Sequence, residues 1–309
     1  MKVKINRPRV NLAFRGVLIL AAGMLAAGML AACSSLMSTT GSQPTGQNQA
    51  LFPGITYSKE VLTSPRRMVV HIVTVDLRQP GLSLLVTPGD ARAEQPLKAR
   101  TTSQFLKEYG VQLAVNGDNF TPWHSTSLMD YYPHAGDPVT PFGLAASQGV
   151  IYSQENNQEP VLYVSRTNKA SFNSPEGKIY NAISGNLMLV EEGKAAVPSD
   201  TSGLAEEQDK PQPRTALALD KRRQRLWIVV VDGRQTGYSE GASLAELAEL
   251  LVKAGAYAGM NLDGGGSSTL VMADKDGNPM LLNSPIDNQI PGRERPVGNH
   301  LGVFAPGAR

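Results

Sequence analysis

Cysteine is almost missing from this chain: Cys33 is the only one in 309 residues. A lone thiol excludes intrachain disulfides, and once Cys33 is accounted for it also excludes a thiolate nucleophile and a cysteine metal site. No sign of charge dominates, with 29 Lys and Arg against 27 Asp and Glu. That balance argues against a nucleic-acid surface. The P-loop ending, GxGxxG, HExxH and EF-hand spacing are all absent, which removes the commonest nucleotide and metal motifs. No internal repeat is evident.

What is present begins with a leader. Lys2, Lys4, Arg7, Arg9 and Arg15 precede an apolar run, Val17 to Ala32, that ends in "LAAC", Leu30 to Cys33. A charged start, an apolar stretch and small residues at a cut site describe a secretory signal. Cys33 at the junction resembles the bacterial lipobox, in which it would be lipidated and become the first mature residue. A plain transmembrane anchor is the competing reading, but the run is short for a span and rich in Ala and Gly. Without the leader, 24 basic residues face 27 acidic ones. The expected location is the bacterial cell envelope, held by lipid, with sorting to the outer membrane. From Ser34 to about Pro53 the chain is polar and nearly uncharged, as in a flexible tether. The expected organisation is therefore a signal peptide over 1–32, a tether over 33–54 and one folded domain over 55–309.

Strands dominate that domain. "RMVVHIVTVDL" and "LSLLVT" are β-branched runs separated by the turn material "RQPG". "RTTSQFLKEYG" reads as a short helix ending at Gly110, and "VQLAVNGDNF" as a strand running into a loop at Asn116. Val190 to Gln212 reads as a long exposed loop. "RTALALD" and "RLWIVVVDG" form a hairpin pattern. Next comes a helix signalled by a Ser243/Glu246 capping box, by Leu244, Leu247, Ala248 and Leu251 on one face, and by Gly255 at its end. "AYAGMNLD" and "SSTLVM" are strands flanking a glycine triplet, and "GNHLGVFA" closes the chain. Many strands with two helices make an α+β pattern: a single mixed-sheet domain with few helices.

The triplet Gly264, Gly265 and Gly266 follows Asp263 and precedes Ser267. Glycines strip side chains from a strip of backbone, so N–H groups can converge on an anion; the bland reading is a tight turn. Two further strands end in a carboxylate beside glycine, at Asp118 and Asp232. With Arg214 and Arg295, these residues could furnish acid–base groups and phosphate-binding guanidiniums. Among the histidines His71, His124, His134 and His300, the first reads as a satisfied strand residue and the last lies in "GNHLGVF". Carboxylates near a glycine loop could hold Ca²⁺ or Mg²⁺, although nothing in the sequence requires a cofactor.

"RTALALD", "VDGR", "SLAELAELLVKAGAYAGMNLDGGGSSTLV", "RPVGNHLGVF" and, upstream, "NGDNF" resemble the signature of the phosphodiester glycosidase family. The resemblance implies an α+β domain and a hydrolase that cleaves the sugar C1–O bond of a sugar-1-phosphodiester. Carried over by position, it implies site roles for Asn116, Asp118, Arg214, Asp232, Asn261, Asp263, Ser267, Arg295 and Asn299, and it implies that His300 lines the site. Asp263 is the first choice for a carboxylate near C1, with Asp118 second and Asp232 third. The expected partner is a carbohydrate phosphodiester, with the membrane reached through the lipid and no nucleic acid. A non-catalytic glycan-binding or polysaccharide-assembly lipoprotein, or a phosphodiesterase cutting P–O, could use the same residues.

Overall fold

The computed structural model describes residues 48–127, 130–154, 159–197 and 210–307. Cys33 and the leader lie outside the described residues. Among those residues no helix is long and apolar enough to cross a membrane.

The strands Arg214–Leu219 and Arg225–Val231 pair residue for residue, and all but Arg225 of their side chains are buried. Such uninterrupted apolar strands need cover on both faces. They sit near the middle of an eight-stranded sheet beside Ala258–Asn261 and Met68–Asp76. One face packs on helix α2, Leu244–Ala254, through Leu244, Leu247, Ala248 and Leu251. The other meets a five-stranded sheet that contains Leu113–Asn116, Leu270–Ala273 and His300–Phe304. Helix α1, Thr102–Tyr109, covers the far side of that second sheet with Phe105 and Leu106. The order is therefore helix, sheet, sheet, helix. This is an α+β domain, and its strand ladders are antiparallel throughout rather than mixed in direction.

Both helices stop and start for local reasons. Ser243 Oγ accepts from Glu246 N at 3.2 Å, and Glu246 Oε2 accepts from Ser243 N at 2.8 Å. Gly255 ends α2 at φ 99°, where a side chain would be strained. Thr101 and Gln104 form a second capping box on α1, which the sequence reading missed.

Two boundaries differ from expectation. Gln49–Phe52, assigned above to the tether, is an edge strand paired with Ile55–Leu62. Leu51 and Phe52 pack against the main core, so two apolar residues behind a polar stretch suffice to start the fold early. The loop expected from Val190 begins instead as a hairpin, Leu187–Glu191 with Lys194–Ala195. Residues 198–209 of that expected loop lie outside the described ones.

Candidate active site

The two sheets bring their functional ends to one edge. In the first, Arg214 opens its strand, Asn261 closes another, and Asp232 to Arg234 follow a third. In the second, Asn116 ends one strand while His300 begins its neighbour, directly opposite. A cleft of about 590 Å³ lies there. Its walls include Arg214, Arg234, Asn261, Asp263, the three glycines and Arg295, with Trp123 and Phe142 at the lip.

The glycine triplet does something other than the sequence suggested. Gly265–Ser267 form one 3₁₀ turn. Much of its amide capacity is already used: Gly265 N bonds Pro213 O at 2.8 Å, Ser267 N bonds Gly264 O at 3.2 Å and Ser268 N bonds Gly265 O at 3.3 Å. Of the triplet's own amides, Gly265 N is thus engaged by backbone and Gly264 N is turned to the Asp263 carboxylate, so the turn does not present a full set of free N–H groups. Instead, the missing side chains make room for arginines. A Cβ on Gly265 would lie 3.0 Å from Arg234 Nη1, and one on Gly266 would lie 2.4 Å from Arg295 Nη2. Gly265 also has φ 61°, the left-handed region that favours glycine. The triplet is a seat for two guanidiniums.

Each guanidinium is held by its neighbours. Arg295 Nε donates to Asp287 Oδ1 at 2.8 Å, and its Cζ lies 5.3 Å from the Trp123 ring centroid. Arg234 Nη2 donates to Gln212 Oε1 at 2.7 Å. Partial burial first, and the like charge of Arg295 second, hold Arg234 below its usual pKa. Two cations side by side favour an anion between them, and guanidiniums suit phosphate geometry. Sequence reasoning overlooked Arg234 as a ligand group. The available signal was a cation directly after an Asx-Gly turn at a strand end.

Asp263 stands in the same cleft. Its backbone is clamped: Asp263 N donates to Gly117 O at 3.0 Å and Asp263 O accepts from Asn116 Nδ2 at 2.8 Å. Burial raises its pKa, while Ser267, Arg295, Gly264 N and Arg234 pull it back. The Ser267 hydroxyl stabilises the carboxylate without reaching full hydrogen-bond geometry. Asn261 also lines the cleft and donates to Asn186 Oδ1 at 2.8 Å. Arg214, though on the wall, directs Nε to Ala242 O at 3.0 Å and Nη2 to Lys210 O at 3.2 Å. It braces the wall as much as it faces the ligand.

Other expected site residues lie behind the wall. Asn116 Oδ1 accepts from Thr215 Oγ1 at 2.9 Å and from Thr269 N at 3.2 Å, so this side chain ties strands together. Asn299 Oδ1 accepts from Asp118 N at 2.8 Å. Asp118 is 1% exposed and accepts from Asn119 N at 2.7 Å and Gly143 N at 2.9 Å. Burial, with Glu159 and Asp263 nearby, pushes its pKa up to about 8.

Asp232 does not line the cleft. It is 1% exposed and accepts from His71, Tyr238, Asn283 and Ser284 N, all within 3.0 Å. With every lone pair engaged, it fixes the turn that carries Arg234. His300 is a correction too. It is fully buried, stacks on Phe105 with centroids 4.7 Å apart, and is 3.2 Å from Thr87 Oγ1. Burial pushes its pKa down to about 3. Successive residues of a strand point to opposite faces, so while Asn299 reaches Asp118 the next side chain enters the layer under α1. His71 is the satisfied strand residue expected, bonded to Tyr57 and Asp232 at 2.9 Å each. No group of three or more His, Cys, Asp or Glu among the described residues is arranged to hold a metal.

Comparison with known proteins agrees with this architecture. The zebrafish N-acetylglucosamine-1-phosphodiester alpha-N-acetylglucosaminidase catalytic domain, auto-inhibited by its pro-peptide, matches with TM-score 0.59 and 22% identity over 85% of each chain. A hypothetical protein from Synechocystis matches with TM-score 0.56 and 17% identity, over 85% of this chain and 64% of that one. An exported protein from Burkholderia pseudomallei gives TM-score 0.54 and 14% identity, over 79% and 75%. At these identities the likeness is one of fold. No curated protein matches the chain. The family model for phosphodiester glycosidase matches residues 109–304, well over half of the sequence and all of the cleft's glycine and arginine seats. This chain belongs to the phosphodiester glycosidase family.

Proposed function

We propose that this protein hydrolyses the C1–O bond of sugar-1-phosphodiesters in envelope or extracellular polysaccharide of a bacterium, tethered by a lipid on Cys33. One observation carries the reading: Arg234 and Arg295 press on the glycine turn in the same cleft as Asp263. The phosphate lies against the two guanidiniums. Their charge stabilises the phosphomonoester as the bond breaks, since preorganised cations in a partly dry site act strongly on developing negative charge. The C1–O electron pair leaves with the phosphate, and water supplies the new oxygen at C1. Asp263 takes the water proton or stabilises the oxocarbenium-like state. The products are a free sugar hydroxyl and a phosphomonoester.

Supporting this reading are the phosphodiester glycosidase membership and the clamp that fixes the Asp263 backbone. The test is turnover of a sugar-1-phosphodiester in ¹⁸O-labelled water. Label in the sugar is the expected result. Label in the phosphate would make the protein a phosphodiesterase cutting P–O. Binding without turnover would leave the glycan-binding or polysaccharide-assembly reading in its place.

A further inference from the structure

A second cavity, about 440 Å³, adjoins the cleft, and Asn186 lines both. The floors of the two are neighbouring strands: Leu187 pairs with Asn261 and Met188 with Met260. Asn186, in the bend just before Leu187, faces both cavities, so the two adjoin where these neighbouring strands end and begin.

The second cavity has the opposite electrostatic character. It is lined by Glu159, Glu191, Tyr163, Asn173 and the apolar Leu187 and Met188, with no Lys, Arg or His among its described walls. Carboxylates here repel a phosphate but accept hydrogen bonds from hydroxyls. The tyrosine and aliphatic side chains offer an apolar surface to a ring face. Hydrogen-bonding side chains interleaved with apolar ones suit a ligand that is polar at its hydroxyls and apolar on its ring face. Glu159 also has Oε2 buried without a hydrogen-bond partner, turned toward Gly143, where a Cβ would meet it at 2.6 Å.

We propose that this cavity is a second sugar subsite. It takes a neutral hexose or N-acetylhexosamine unit joined to the sugar whose C1 lies at Asp263, so the substrate is an oligo- or polysaccharide phosphodiester rather than a single-sugar diester. The orientation rests on the hydrolase reading: phosphate lies on Arg234 and Arg295, the first sugar crosses Asn261 and Asn186, and the next unit enters between Glu159 and Glu191. Trp123 and Phe142, on the lip of the first cleft, are left to the phosphate's other substituent.

The test uses C-glycosyl phosphonate monoesters, which cannot be hydrolysed, made from hexoses and N-acetylhexosamines as monosaccharides and as disaccharides. Binding to the full chain is measured by calorimetry. At least one disaccharide should bind tenfold or more tighter than its monosaccharide. Tyr163→Ala and Glu191→Gln should each erase most of that gain while leaving monosaccharide affinity within twofold. Glu191→Gln changes almost no volume and lies on an exposed strand end, so misfolding cannot produce its effect. Equal affinity for mono- and disaccharides across the panel, or a gain indifferent to both variants, overturns the subsite. Absence of any turnover with the gain intact would reject the hydrolase reading and leave the subsite standing; turnover without the gain would do the reverse.

Discussion

Gly266→Ala isolates the arginine seat from everything else in the cleft. Gly266 is not in the left-handed region, so alanine is free of backbone strain there. Its methyl would nonetheless lie 2.4 Å from Arg295 Nη2 and 2.7 Å from Cζ. Comfortable heavy-atom contacts begin near ~3.5 Å, so the guanidinium must retreat by about 1 Å. It cannot simply swing aside, because Asp287 holds Nε at 2.8 Å and Trp123 lies 5.3 Å away. Misplacing a positioning group by about 1 Å lowers rate on the order of a hundredfold. At ~1.36 kcal/mol per tenfold, that is about 2.7 kcal/mol of transition-state stabilisation. The folded state should lose at most about 2.6 kcal/mol, because ~1–3 kcal/mol of crowding is opposed by ~0.4–1 kcal/mol from lost glycine entropy in the unfolded chain. Steady-state kcat/KM on a sugar-1-phosphodiester, run beside a thermal melt, measures both. A folded Gly266→Ala protein with wild-type kcat/KM would refute the seat as the function of the triplet.

Asp263→Asn should lower kcat by about a hundredfold or more, as for lost acid–base help, while affinity for a phosphonate analogue holds or improves; a change of only a few-fold moves the carboxylate role to Asp118. Thermal stability should decline as pH rises from neutral toward 8. Asp118 keeps its proton in the fold up to about 8 but releases it near 3.8 when unfolded, so the native state binds more protons across that window and stability drains as pH climbs. His300 acts oppositely, between about 3 folded and 6.5 unfolded, and offsets that loss only below neutrality. Raised Glu159 and Asp263 add to the Asp118 direction. Melts from pH 6.5 to 8.5 on wild type and Asp118→Asn check this: the variant should show a flatter slope, and an equal slope rules the assignment out. Cys33→Ala should release the protein from the membrane fraction or leave the precursor uncleaved, and unchanged attachment with normal processing would end the lipid-anchor proposal.

The elements best legible in the sequence were those with a closed local logic. Helix α2 carries its cap, its apolar stripe and its terminal glycine within 13 residues, and the hairpin before it is two apolar runs around "KRRQ". The site was legible as a set of positions but not as a geometry. A motif places Asn299 and His300 side by side, yet strand alternation sends one to Asp118 and the other to Phe105. Asp232 ranked third behind Asp263 and Asp118, yet it stayed a candidate because it too ends an apolar run before glycine. Only the partners differ, and His71 and Asn283 are respectively 161 and 51 residues away. Arg234 was hidden because its value depends on Gly265, which approaches it only after the sheet has closed. Glu159 carried no signal of its own, standing between a polar stretch and the apolar strand Val161–Val164.

The Asn116 side chain bears on how the protein is made as well as on how it stands. Its carboxamide bridges Thr215, Thr269 and the Asp263 carbonyl, partners 99, 153 and 147 residues along the chain. None of these bonds can form from local segments. The cleft therefore has no half-built precursor: Asp263 takes its place only when both sheets have met, late in a topology dominated by distant contacts, where loop closure must come before reward. While it folds, the chain passes through unfolded and partly folded forms without an assembled carboxylate–arginine constellation. The complete cleft then arrives only with the completed domain, so whatever the constellation does is withheld from every partly folded form.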